Sequence, residues 1–410
     1  MSIILVYIIN IALLVGIAYL YFRKYRTGVL RRYFWPALLF KICCGMLLGM
    51  LFYYYYLDGD TIRYYQESSR LVGLNLSDFF DALTKPVERS QPFRAIYFTR
   101  LVALIQWLTH GDYWILSAYF SMFSFLGSFY LSNKLVLWRR SLKIPSILAF
   151  LFFPSTVFWS SGLLKESLVF GALTFLIGVY FSWIQNRKLH IGHLSIGIIS
   201  LFIIISFKYY VAAVLMPLLL YQILYHQINW KNWKMEGIWK RSMCLAVMLT
   251  IPALLLFNWM SVNLSYERLW PIMKKNHDLY IQMAPDGAIH TLSWFDNAWD
   301  ILINMPFLWF SGIFRPLVGE DFTFPAALSG LENLLLLTGV ILGIFSWIKN
   351  KIIWTPELLS VLIYISTLSI FLCYSTPNFG TLARFKVYYI PFVVLLITHQ
   401  LQSLSIFRKN

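Results

Sequence analysis

The sequence predicts an all-α polytopic membrane protein, and three observations carry that reading. Hydrophobic residues make up 59% of the 410 and charged residues 13%, with a mean hydropathy of +0.65, too apolar for a soluble globule of this size. The apolar residues gather into separate blocks of roughly 15 to 25, the length at which a helix rising ~1.5 Å per residue crosses a hydrocarbon core. Basic residues cluster between alternate blocks, the pattern that orients a chain in a bilayer. The alternation of a β-barrel is absent. The formal net charge of +16 is therefore assigned to topology and to anionic membrane lipids, and no nucleic-acid partner is expected. The four cysteines, two of them adjacent at Cys43 and Cys44, form neither a zinc pattern nor a disulfide framework.

Taken in order, the blocks predict helices near 2–22, 33–57, 113–133, 146–162, 163–183 and 194–207, then near 210–226, 242–260, 329–347, 357–375 and 386–403. That is about eleven transmembrane helices in a single domain spanning 1–410. The first block lacks a basic leader and a small-residue cleavage site and is followed by Arg23, Lys24 and Arg26, so it reads as a retained helix entering from outside. Segments 23–32, 134–145, 184–193, 227–241, 348–356 and 404–410 hold 19 of the 34 Lys and Arg residues, with Glu236 the only acid inside them. The positive-inside rule then places the N-terminus outside and the C-terminus in the cytoplasm. Lys41 lies near enough to the cytoplasmic end of its helix to snorkel.

Two outer loops are long, 58–112 and 261–328. In the first, Ser77-Asp78-Phe79-Phe80-Asp81-Ala82-Leu83 has the form of a capped helical turn, and 93–109 is apolar with Arg94 and Arg100 interspersed. That stretch suits a helix lying in the interface, since counting it as a span would invert every later charge assignment. In the second, Ile301 to Phe314 is a similar apolar stretch ending in Arg315-Pro316.

The sharpest local motif is Leu57-Asp58-Gly59-Asp60-Thr61-Ile62-Arg63-Tyr64-Tyr65, directly after the aromatic run Phe52 to Tyr56. Two carboxylates around a glycine at a bilayer edge can point into one pocket, where one acts as a base or both hold a divalent cation while Arg63 tunes them. An Asp-Gly turn at a solvated helix end is the plainer alternative. A second motif runs from Pro154 through Ser160-Ser161-Gly162 to Lys165-Glu166. Ionisable groups there either line a polar cavity or snorkel, and the hydroxyl-rich corner can turn backbone N–H groups toward an anion. The third is Ser375 to Tyr389, with Asn378, Arg384 and Lys386. By the topology Arg384 and Lys386 fall outside, where a guanidinium fork beside an ammonium suits a phosphate or diphosphate. Loop 261–328 adds Glu267, Arg268, Lys274, Lys275, His277, Asp278, Asp286, His290, Asp296 and Asp300 with Trp270, Trp294 and Trp309, a mixture found in sugar sites and in ordinary exposed loops alike. Neither histidine has the spacing of a zinc motif, and no Walker loop, dinucleotide fingerprint or nucleophile elbow occurs.

With these parts in order the chain resembles the GT-C superfamily of membrane glycosyltransferases, which use polyprenyl-phosphate-linked sugars. The resemblance is architectural: a long first outer loop opening on an acidic residue just past a helix, continuing through juxtamembrane helices, and a second long outer loop later in the module. It implies that Asp58 or Asp60 is the catalytic base. Substrate-binding roles for Arg63, Tyr64, Lys165, Glu166, Asn378, Arg384 and Lys386 follow from charge and side rather than from a family motif. The helix at 2–22 is extra to the family's layout. The implied partners are a polyprenyl-phosphate-linked sugar donor, a glycan or lipid-linked acceptor and membrane lipids, and the implied location is a bacterial cytoplasmic membrane. A looser similarity to bacterial surface-polysaccharide proteins makes a Wzy-type repeat-unit polymerase the nearest alternative. A lipid-linked glycan flippase is a third, and it predicts ionisable groups near the bilayer midplane.

Overall fold

The computed structural model describes residues 2–87, 93–186, 188, 190–230, 233, 235–260, 264–283, 298–350 and 353–402. Among them there is no β-strand, and eight helices are long and apolar enough to cross a membrane. A bent pair, Phe379–Tyr388 and Ile390–Leu401, meeting at 64°, raises the number to nine. The chain divides into two compact units, Met1–Phe207 and Lys208–Asn410.

The first unit opens on α1 (Ile3–Tyr25), whose first turn is capped by Ser2 Oγ accepting from the Leu5 N–H. Asn10 is its buried polar residue, donating to the Thr109 carbonyl at 2.9 Å and accepting from the Tyr119 hydroxyl at 2.8 Å. α2 (Phe34–Met50) packs its Phe34 ring edge-on against Phe125 and Phe129 at 5.0 and 4.9 Å. It ends in a π turn, Leu51–Tyr56. Three helices outside the membrane-spanning set follow: α3 (Asp60–Val72), α4 (Leu76–Thr84, capped by Asn75) and α5 (Phe93–Thr109). The turn expected at 77–83 and the helix expected at 93–109 are thus present as α4 and α5, while α3 was not expected.

α6 (Tyr113–Trp138) and α9 (Lys165–Asn186) form the centre of this unit. Ser117, Ser121, Ser124, Ser128 and Ser132 recur at three- and four-residue spacing on α6 and all are buried. Between helices in lipid there is no hydrophobic drive, so close backbone approach through small residues takes its place. A methyl added at Gly127 would lie 2.4 Å from the Gly171 carbonyl oxygen, and one at Gly45 of α2 would lie 2.3 Å from Ser121 Oγ. The block expected at 146–162 is not one continuous helix. It comprises α7 (Lys143–Ile147), a π turn over Leu148–Phe152 and α8 (Pro154–Trp159), because Pro154 has no N–H to continue the ladder past Phe153. The blocks at 194–207 and 210–226 fall within one helical segment, α10 (Ile191–Gln227), interrupted at Lys208 by a non-helical backbone (φ −141°, ψ 62°).

The second unit contains α11 (Ile238–Met260), α12 (Tyr266–Met283), α13 (Ala298–Phe314), α14 (Phe324–Asn350) and α15 (Pro356–Ser375). It closes with α16 (Phe379–Phe385) and α17 (Ile390–Leu401). α13 and α15 touch through Gly312, where a Cβ would meet the Ser369 carbonyl at 2.5 Å. Trp309 of α13 donates to Ser366 Oγ at 3.1 Å, a packing role within the helix pair. The Tyr374 ring of α15 is stacked between Trp270 and His277 of α12, at 5.5 and 5.1 Å.

Candidate functional site

The turn that carries the two aspartates is built by backbone conformation. After the π turn, Leu57 takes a left-handed backbone (φ 58°) and Gly59 takes φ 140°, a region that disfavours any side chain. The Gly59 hydrogen also faces the Phe52 ring, where a Cβ would lie 2.5 Å from Cε1. Asp58 is exposed and forked by Arg63, whose Nη2 lies 2.5 Å from Oδ2 and whose Nε lies 3.2 Å from Oδ1; the Gly59 N–H donates to Oδ1 at 2.6 Å. Those bonds hold the Asp58 carboxyl below the usual carboxylate range, Arg63 contributing most. An aspartate so held keeps its charge and is a poor proton acceptor in this arrangement. Among the described residues no three His, Cys, Asp or Glu side chains gather as metal ligands, so a divalent cation at Asp58 and Asp60 would draw its remaining donors from substrate and water.

Asp60 opens α3, where a carboxylate is favoured by the helix dipole. One turn on, Tyr64 is buried with its ring edge-on to Phe98 of α5 at 4.8 Å. The ammonium of Lys165, the first residue of α9, lies 5.0 Å above the Tyr64 ring. Two motifs a hundred residues apart in sequence therefore meet in this unit, through a cation–π contact at a helix start. Glu166, the next residue, is fully buried.

The Ser160-Ser161-Gly162 corner has a different use from the one expected. The Gly162 N–H donates to Ser121 Oγ at 2.9 Å, the Ser161 N–H to the Phe158 carbonyl at 3.1 Å and the Ser160 N–H to the Thr156 carbonyl at 3.3 Å. These donors are consumed inside the protein and both serines are fully buried, so the corner is a packed bend that delivers Lys165. Lys41, expected to snorkel, is instead 2% exposed: its ammonium donates to Ser160 Oγ and sits 5.4 Å from the Phe170 ring. Hydropathy gave no sign of this pairing, because a single lysine near a helix end reads the same whether it turns in or out.

In the second unit, Asn378 caps α16, its Oδ1 accepting from the Thr381 N–H at 3.0 Å. Arg384 lies in the last turn of α16, its guanidinium 5.3 Å from the Phe385 ring. Lys386 is 5% exposed and donates to the Ile313 and Arg315 carbonyls at 2.9 and 2.6 Å, with Asn333 Oδ1 at 3.5 Å. In this arrangement it fastens the segment to the end of α13. Arg315, paired with Glu320 at 2.7 Å, belongs to the same knot and was not singled out as a binding residue by sequence. Lys208, also missed, holds its ammonium 3.7 Å from the Phe385 ring. Of the second long loop, Trp270, Lys274, Lys275 and Asp278 line one side of α12 in a recess of about 600 Å³. His277 is buried, its Nδ1 2.7 Å from the Tyr374 carbonyl, while Asp286, His290, Trp294 and Asp296 lie outside the described residues. Comparison with protein-family models, curated proteins and solved structures finds no match to this chain.

Proposed function

We propose that the protein is a membrane glycosyltransferase that moves a sugar from a polyprenyl-phosphate-linked donor to an acceptor hydroxyl on the non-cytoplasmic side, in cell-surface glycan synthesis. The observation that carries the reading is the meeting of the Asp60–Tyr64 turn with Lys165 inside one unit. An acid and a cation held at the end of a membrane helix are what displacement at an anomeric carbon with a phosphate leaving group requires. In the proposed reaction Asp60 accepts the acceptor's proton as its oxygen bonds to the anomeric carbon. The bond from that carbon to the phosphate oxygen breaks, and Lys165 offsets the charge left on the phosphate. Asp58 keeps Arg63 in place rather than taking the proton, and Arg384 retains its assignment to substrate on chemical grounds. The topology that goes with this reading has eleven crossings, counting the broken α7–α8 segment, both parts of α10 and the bent final pair. It puts the N-terminus outside, the C-terminus in the cytoplasm and the protein in a bacterial cytoplasmic membrane.

The test is transfer from labelled polyprenyl-phosphate sugars by the purified, reconstituted protein. Asp60→Asn should lower turnover ~10²-fold or more, and Arg384→Ala should weaken donor binding. A ladder of products in place of a single addition would identify the polymerase alternative. Unchanged transfer in both variants removes the assignment.

A further inference from the structure

α3 presents two adjacent stripes about 100° apart around the helix. One carries Asp60 and Tyr64 and meets Lys165. The other carries Thr61 and Tyr65: the Thr61 hydroxyl is 2.7 Å from the Tyr113 hydroxyl, and the Tyr65 ring is edge-on to Tyr113 at 5.8 Å. Beside this second stripe lies an open pocket of about 530 Å³, within the usual range of small-ligand sites. Its polar lining is Tyr7 of α1, Tyr65 of α3, Gln106 of α5, and His110 and Asp112 of the turn into α6.

The walls are fixed before any ligand arrives. Asp112 Oδ1 accepts from the Trp114 and Ile115 N–H groups at 3.1 and 3.0 Å, and its Oδ2 accepts from the Tyr7 hydroxyl. Gln106, 8% exposed, accepts from Ser68 at 2.9 Å and donates to Ser69 at 3.0 Å, which sets its amide orientation. The Asn10 bond to the Thr109 carbonyl ties α1 to the same turn, and His110 is held in a left-handed backbone (φ 50°), a strained conformation that persists where surroundings over-determine it.

The lining also selects a class of ligand. Among its described residues there is no lysine or arginine, and its fixed charge is the Asp112 carboxylate, so an anion is disfavoured. That carboxylate is already answered by two N–H groups and a hydroxyl, which lessens its demand for a cation. Tyrosine faces beside an imidazole and a carboxylate suit a neutral, hydroxyl-rich ring, with C–H patches on the aromatics and hydroxyls on the polar groups.

We propose that this pocket, bounded by α1, α3, α5 and the turn before α6, binds a neutral sugar ring of the acceptor glycan. Only the word acceptor rests on the transferase reading. Saturation-transfer NMR on the full chain in nanodiscs would use glucose, galactose, mannose, rhamnose and N-acetylglucosamine, with glucuronate and inorganic phosphate as the anionic arms. At least one neutral sugar should be saturated, with binding about tenfold weaker in Tyr65→Ala and restored in Tyr65→Phe. Ile3→Trp, placed at the rim where residue 3 is 70% exposed, should block binding without touching the core. Saturation of no neutral sugar, preference for either anion, or binding undiminished in both Tyr65→Ala and Ile3→Trp would overturn the proposal. Sugar binding lost in these variants with no transferase activity in the wild type would leave the pocket standing and remove the transferase reading.

Discussion

Lys165 and Lys386 each stand beside a short bend at the end of an apolar block, one in each unit. Lys386 is 5% exposed and spends its donors on two main-chain carbonyls, so its charge is answered by the fold itself. Lys165 is only partly buried and rests on the face of a tyrosine, next to a segment that carries two carboxylates. The contrast is between a lysine that closes the end of a helix and one that lies on an aromatic face in the Asp58–Tyr64 motif. What distinguishes them is the contact each makes: Lys386 satisfies carbonyls left over at a helix terminus, whereas Lys165 makes a cation–π contact with Tyr64.

The largest expected effect tests that contrast on the Lys386 side. Lys386→Met strips the buried Ile313 carbonyl and the part-buried Arg315 carbonyl of this donor and should lower unfolding free energy by about 2–5 kcal/mol, measured by denaturant unfolding in detergent. Lys165→Met should stay within about 1 kcal/mol of wild type in the same assay while losing transfer. Equal destabilisation by the two would erase the distinction. A smaller effect is expected at the aspartate turn: Gly59→Ala forces a side chain into φ 140° and against Phe52, at a cost of about 1–3 kcal/mol, and should misplace Asp60 and slow transfer. The smallest concerns pH. Asp58 titrates below the ordinary carboxylate range, so its pair with Arg63 persists above the unfolded-state pKa and is lost as pH falls through the lowered folded value. Arg63→Gln should move the Asp58 titration upward, read from its carboxyl NMR shift, with little change in stability because both groups are exposed.

Much of the helical order was legible because burial in lipid demands long apolar blocks: α1, α2, α6, α9, α14 and α15 all lie where hydropathy and charged flanks place them. In segment 58–112, α4 and α5 were legible from the turn at 77–83 and the apolar run 93–109, but α3 was not, and the residue that caps α4 is Asn75. Where the chain bends inside an apolar block, hydropathy is blind, and so the π turn before Phe153 was not anticipated, whereas the interruption at Lys208 falls at the boundary expected between the blocks 194–207 and 210–226. The candidate site was legible as separate motifs, Asp58 to Tyr64 and Lys165, since charged groups at membrane edges stand out. The partners of Lys41, Asn378 and Lys386 were not, because a residue's polarity announces that it needs an acceptor or donor without saying whether the fold or a ligand supplies it.

In the proposed reaction Asp60 and Lys165 act together. A double-mutant cycle on transfer kinetics, comparing wild type, Asp60→Asn, Lys165→Met and the double variant, tests it most directly. The double variant should be slower than wild type by far less than the product of the two separate losses, a coupling of about tenfold or more. Losses that multiply independently, or transfer that survives both changes, would show that the two side chains do not share a step.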